Sequence, residues 1–327
     1  MLYLASQMLG RAVNKFSPVY ADANKKIQGV ISIYLRSRQR EVTGLTGEKY
    51  TTAIRKLFSG PKWGKVVKQI TSIMYTADRH AVDIINNTLA ETYVEGANVT
   101  LYQIERQLGR KIDMLPYTDK AVLSMVDAGM LRLNMKTISE NKDKRWCVSK
   151  IHSAVSSVGA HQLKFDRLAE YLANRIAGGM EKSMHSVAET VIRGQYDDSL
   201  YEIGEEVARH GVPIDKTWLA IMDMNVRDSH KHLNNTTVPI NATFMSYHGP
   251  IRFPHDPQAA AEEICGCRCR LAVHVRGKVP KYFNNRILPT ETTAYRKWRD
   301  QTIAELGGEV ELIRMHMEHR KLLYVVY

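Results

Sequence analysis

Apolar residues recur along the first 200 positions at steps of three and four. Between Lys65 and Val94 the series Val66, Ile70, Ile73, Ala77, Ala81, Ile84 and Leu89 marks one face of a long helix. Phe165, Leu168, Leu172 and Ile176 repeat the spacing. Met180, Met184, Val187 and Val191 resume it beyond Gly178-Gly179, a pair that predicts a kink or a split. Breaks fall between Ser59 and Gly64 and at Pro116, and Thr118 or Asp119 offers an N-cap for a helix through Val126. Such stripes predict helix–helix packing and core, with no cofactor motif and no repeat of fixed period.

From residue 201 the texture changes. Tyr201 to His210 reads as a further helix closed by Gly211, with Pro213 beyond it. Trp218 to Met222 reads as a buried strand, and Asn225 to Leu233 as a short polar helix or turn. Asn234-Asn235 ends that turn with residues that tolerate the left-handed conformation. Thr236 to Ile240 predicts a second strand, Phe244 to Pro257 loops and hairpins, and Cys269 to Val275 a closing strand. Beyond it, the basic loop RGKVPKYFNNR leads to helices from Thr290 to about Leu306 and through Glu311, Arg314 and His319, before the apolar end LLYVVY. The predicted class is α+β. Residues 1–200 form a mainly helical region, 201–275 a small α+β module and 276–327 a basic helical tail.

Composition narrows the picture. The 327 residues are 44% hydrophobic and 24% charged, which excludes a largely disordered or collagen-like chain. No run approaches the ~18 apolar residues of a transmembrane helix, and the apolar start lacks the preceding basic region of a signal peptide. Net charge is +12. It is uneven: +10 over residues 1–200, −2 over 201–275 and +4 over 276–327. A basic excess of that size points to a polyanion, DNA in the first instance, or to an acidic protein surface.

Chemistry-bearing side chains gather in the module. It holds six of twelve histidines (His210, His230, His232, His248, His255 and His274) and three of four cysteines (Cys265, Cys267 and Cys269). Thiolate and imidazole together suit Zn²⁺. The spacing C-G-C-R-C is shorter than the usual C-x2-4-C. In an extended strand all three sulfurs would share one face, and a bend at Gly266 would let two or three converge. On a helical turn His230 and His232 splay apart, so one of them can point inward. Two readings stand together: a zinc site with Cys267, Cys269 and His230 among its ligands, and a packed core in which the same residues are small buried groups and hydrogen-bonders. Cys147 stands alone and is read as inert. Asp223, Asp228 and Asp256 show no paired-carboxylate spacing, and no P-loop, G-x-S-x-G or H-E-x-x-H motif is present. A nuclease reading would use His230 as general base and Arg227 as phosphate clamp. The plainer reading of Arg227 is an ion pair with Asp223, four residues earlier.

The strings KTWLAIMDMNVRDSHKHLNNTTVPI and FMSYHGPIRFPHDPQAAAEEICGCRCRL resemble the phage Mu F-like head morphogenesis family. The residues that carry the likeness are Trp218, Asp223, Val226-Arg227, His230, Val238-Pro239, Phe244, Pro254, Asp256, Pro257 and Cys267-Arg268-Cys269. Gly266 replaces the usual Asn, Asn235 stands where Gly is common, and Val187-Ala188-Glu189 stands where R-T-E is frequent. The resemblance implies a structural, non-enzymatic minor head protein of a tailed phage; the alternatives are a metal-dependent nuclease that uses His230 and the cysteine cluster, and a non-phage nucleic-acid-binding protein that borrows the same module. Its expected partners are the portal protein or the major capsid protein, and packaged DNA. It implies a role in head assembly and in DNA packaging or delivery. Its expected places are the virion head near the portal vertex and the host cytoplasm during assembly, with no membrane involved.

Overall fold

The computed structural model describes residues 2–158, 163–278 and 293–325. The chain is mainly helical and carries a small α+β module followed by two more helices. The helices that precede the module are α1 (Leu2–Arg38), α2 (Gly47–Leu57), α3 (Gly60–Leu108), α4 (Asp119–Asp127), α5 (Glu140–Val158) and α6 (Leu168–Arg209). The module runs β1 (Ile214–Leu219), α7 (Asp228–Lys231), β2 (Thr237–Pro239), β3 (Phe244–Ser246), β4 (Gly249–Ile251), α8 (Ala261–Ile264) and β5 (Arg270–Val275). Helices α9 (Thr293–Glu305) and α10 (Glu309–Val325) follow. Among the described residues no helix is long and apolar enough to cross a membrane.

The chain divides into two compact units. One comprises Met1–Arg11, Asn86–Met135 and Ala188–Tyr327; the other comprises Ala12–Ile85 and Lys136–Val187. The second is all helix among its described residues. Phe16, Ile27 and Ile31 of α1, Ile70 and Met74 of α3, Cys147 and Ile151 of α5, and Leu172 and Ile176 of α6 are buried in it. Tyr20 Oη donates to Asp78 Oδ1 at 2.6 Å, so the buried hydroxyl and carboxylate satisfy each other. The buried face of α3 is Val66, Ile70, Met74, Ala77, Ala81 and Ile85. Met74 and Ile85 therefore replace the expected Ile73 and Ile84, which are half-exposed. Of the expected kink or split at Gly178-Gly179, the split does not occur. Leu168, Leu172, Ile176, Met180, Met184 and Ala188 are all buried along one unbroken α6, which also continues past residue 200 to Arg209.

The first unit holds the module. Gly211, at φ +78, closes α6, and Pro213 leads into β1. β1 is the centre of an antiparallel sheet of order β2-β1-β5, with Lys216 opposite Val238 on one side and Val273 on the other. Asn235 takes φ +62 in the link to β2, as its position in the turn predicts. β3 and β4 make the expected hairpin. Gly204 of α6 lies so close to the sheet that an added Cβ would stand 2.8 Å from Ile240 Cδ1 and Val273 Cγ1. Thr118 caps α4 by accepting from the Ala121 N–H. His316 of α10 faces the Pro116 carbonyl at 2.8 Å and packs on Tyr117. The predicted basic loop and the apolar end LLYVVY lie largely outside the described residues and side chains.

Candidate metal centre

β1 sets the floor of the site. It begins four residues earlier than the sequence pattern suggests, because the inward series Ile214, Lys216, Trp218 includes a lysine. Trp218 is fully buried and meets the His230 ring edge-on at 5.1 Å and Phe244 at 5.3 Å. The single turn of α7 separates the two neighbouring histidines as its geometry requires. His230 is 1% exposed and points inward. His232 lies outside, stacked on Tyr247 at 4.6 Å with its Nε2 3.0 Å from the Met245 carbonyl.

The cysteine motif arrives from the other side. Gly266 takes φ +66, a left-handed turn suited to glycine. Cys265 is thereby left exposed while Cys267 and Cys269 are buried, so two of the three thiols converge. His230 Nδ1 stands 3.6 Å from Cys267 Sγ and 3.4 Å from Cys269 Sγ. The ligand atoms of the three residues all lie within 4.8 Å of one another. A tetrahedral zinc ion with the usual bond lengths would hold a sulfur and a nitrogen about 3.5 Å apart, which matches both separations. This is the spacing of a ligand set as well as of a packed cluster, and these three residues can hold a metal ion. Cys147 is buried in the other unit.

The surroundings set the protonation of the cluster, and of the three residues only Cys269 is pushed towards its metal-ligating form. His230 Nε2 lies 2.6 Å from Glu263 Oε2, the arrangement that orients a ligating imidazole from behind. Burial would raise the Glu263 carboxyl, but hydrogen bonds from Ser246 and Ser229 and the nearby His230 hold it below its usual range. Burial works to lower His230, and the Cys267 sulfur and Glu263 outweigh it, so its pKa is raised. Cys269 accepts from the Cys267 thiol and is lowered; Cys267, the donor, is raised by that bond and by burial.

The remaining motif residues form the rim and support. Asp223 pairs with Arg268 at 2.6 Å, not with Arg227 as the four-residue spacing suggested. No regular helix joins Asp223 to Arg227, and Arg227 donates instead to the Cys265 carbonyl. Pro254 and Asp256 are buried in the loop after β4. Asp256 accepts from Arg252 through Nε at 2.9 Å and Nη2 at 2.6 Å, and from the Gln258 N–H at 3.0 Å.

Several participants carry no sequence signal. His255 sits between Pro254 and Asp256 at φ +65 and is buried. Its Nδ1 faces Asp197 Oδ2 at 3.1 Å and its Nε2 faces the Cys267 carbonyl at 2.7 Å. Both partners accept, so both ring nitrogens donate and the ring is an imidazolium. Burial opposes that state, yet the Cys267 and Asp197 neighbours lift its pKa to about 10. Asp197 also accepts from the Leu271 N–H at 3.3 Å. It comes from α6, as do Thr190, which accepts from the Gly266 N–H, and Gly194, where an added Cβ would meet His255 Cβ at 3.3 Å. Glu189, in the segment compared with R-T-E, pairs with Arg193 at 2.8 Å.

No family model matches the chain, and no solved structure does. The chain is similar to the minor head protein GP7 of Bacillus phage SPP1, with 20% identity over 301 residues. The alignment covers 90% of this chain and 94% of that protein. A distant relative is thus a phage head protein.

Proposed function

We propose that this chain is a structural minor head protein of a tailed phage, incorporated near the portal vertex through contacts with portal or major capsid protein. In this reading it assists head assembly and DNA packaging or delivery, and the Mu F-like segment is its compact folding module. The observation that carries the reading is the end-to-end similarity to a phage minor head protein, which takes in the helical regions as well as the module. The burial of His230 supports a structural role for that residue over general-base catalysis, since a base must reach its substrate.

Two finer elements belong to the same reading. Zinc bound by Cys267, Cys269 and His230 would tie α7 to the start of β5 and contribute to folding of the module. DNA would lie against the helical unit of residues 12–85 and 136–187. That unit holds 22 Lys and Arg against 10 Asp and Glu, a net of +12, while the rest of the chain holds 24 against 24. The whole charge excess therefore lies in one unit.

The test is a phage stock in which this gene is deleted and then complemented. Purified complemented heads should contain the protein in a fixed ratio to portal, and heads made without it should give fewer infectious particles. A protein that stays in the lysate and never enters heads would overturn the reading. For the metal, zinc content near one per chain in untagged protein is expected; a content well below one removes the zinc element and leaves the head-protein reading standing.

A further inference from the structure

Among the described residues the chain brings three ligand atoms together, from His230, Cys267 and Cys269. A tetrahedral ion takes four. Two sources of the fourth are at hand: the remaining cysteine of C-G-C-R-C, and solvent. The local geometry separates them. Cys265 is exposed, and the left-handed turn at Gly266 carries it away from the buried pair. Arg227 grips its carbonyl and holds the outward turn in place.

On the open side of the cluster lies a small cavity of about 10 Å³ lined by all three ligand residues and by Ile221, Asn225, Val226, Arg227, Gly266 and Arg268. That is room for about one water molecule. Asn225 and Gly266 are exposed, so the cavity meets bulk solvent. Two guanidinium groups stand in its wall. Arg268 shares its charge with Asp223, whereas Arg227 donates to a neutral carbonyl, so its charge persists beside the cavity. The wall thus favours a small anion over a cation.

From this geometry we infer that a metal ion held by Cys267, Cys269 and His230 takes its fourth ligand from solvent in this cavity, and that a small monodentate anion replaces the water. The inference rests on the metal reading above and adds to it an exchangeable coordination position. The alternative, a closed site completed by Cys265, makes the opposite prediction for every measurement below.

The experiment uses full-length protein produced in cobalt-supplemented medium, so that no unfolding step is needed. Cobalt reports thiolate ligands through its near-ultraviolet charge-transfer band and coordination geometry through its visible bands. The band intensity should correspond to two thiolates and stay unchanged in Cys265→Ser. Azide should shift the visible bands saturably in both proteins. A band worth three thiolates that loses a third of its intensity in Cys265→Ser would overturn the inference. So would visible bands indifferent to azide and thiocyanate. Absence of any cobalt band, together with absence of zinc in ordinary preparations, would sink the metal reading itself. Metal bound but azide-insensitive sinks only the open position. Should Cys265→Ser fold poorly, Cys265→Ala and the azide titration of the parent protein still decide the matter.

Discussion

At the scale of single residues the module depends on two buried charges with opposite fortunes. The His255 imidazolium is matched by Asp197, a carboxylate with no exposed side-chain surface. Removing one member of such a pair leaves the other charge buried and unmatched. Asp197→Ala should destabilise the protein by about 3–5 kcal/mol in urea unfolding, with His255→Gln milder because a neutral amide can still bond in place. A loss under 1 kcal/mol for Asp197→Ala would mean that the pair is not formed. Lys216 is the reverse case. Its Nζ lies 4.4 Å over the Tyr201 ring and has no hydrogen-bond partner among the described residues. Burial pushes its pKa from 10.5 down to about 8, against the pull of Glu205. Below pH 8 the folded state bears the full cost of the buried charge. Between pH 8 and 10.5 the folded lysine is neutral while the unfolded one is still charged, so this residue's contribution to stability rises with pH. Lys216→Met should therefore be more stable than the parent at pH 7, by up to about 3 kcal/mol. That advantage should shrink towards zero by pH 10.5. An advantage that is constant across this range would show that packing, not charge, sets the effect.

At the scale of elements, sequence and structure agree where periodicity is the physical cause. Helices α3 and α6, the Thr118 cap, the Gly211 terminator and the β3–β4 hairpin all follow from local spacing and turn chemistry. The convergence of His230 with Cys267 and Cys269 was also legible, because those residue types are scarce and their chemistry is specific. What escaped was set by partners distant in the chain. The apolar pattern starts β1 late because a buried lysine, Lys216, interrupts it. The supporting carboxylates of Asp197 and Glu263 were invisible because acidic residues are common on helices, and only the fold brings α6 under the module. Glycine shows the same limit. Gly178 and Gly204 look alike in sequence, yet a Cβ at Gly178 meets nothing within 4 Å, while one at Gly204 strikes Ile240 and Val273 at 2.8 Å. Within one helix the same substitution should thus have opposite signs. Gly178→Ala should raise stability by about 0.5–1 kcal/mol. Gly204→Ala should lower it by about 1–3 kcal/mol. Thermal unfolding of the two variants side by side checks this, and equal shifts would show that α6 does not approach the sheet so closely.

At the scale of the whole molecule the partition of charge leads to a binding prediction. If residues 12–85 and 136–187 face DNA, affinity should fall steeply with salt and be indifferent to sequence, because phosphate contacts release counterions and no base-reading motif is present. Lys62, Lys65 and Lys68 are exposed on the first turns of α3. Reversing all three to Glu should weaken binding and reduce the slope of log K against log salt by about 3. The same reversal at Arg296 and Lys297 of α9 should leave the slope nearly unchanged. Binding that ignores salt would remove DNA as the explanation for the basic unit. The two units also differ in how their pieces are strung along the chain. The all-helical unit is complete once Val187 has been made, whereas the unit that carries the module needs every strand up to Val275. At ribosomal rates of 5–20 residues per second that is a delay of roughly 4–18 s. During that interval the helix start at residues 2–11 and the far half of α3 must wait without their packing partners. A nascent chain stalled with Val187 just clear of the ribosomal exit tunnel should accordingly resist protease across the helical unit while Gly96 to Leu108 is still cut.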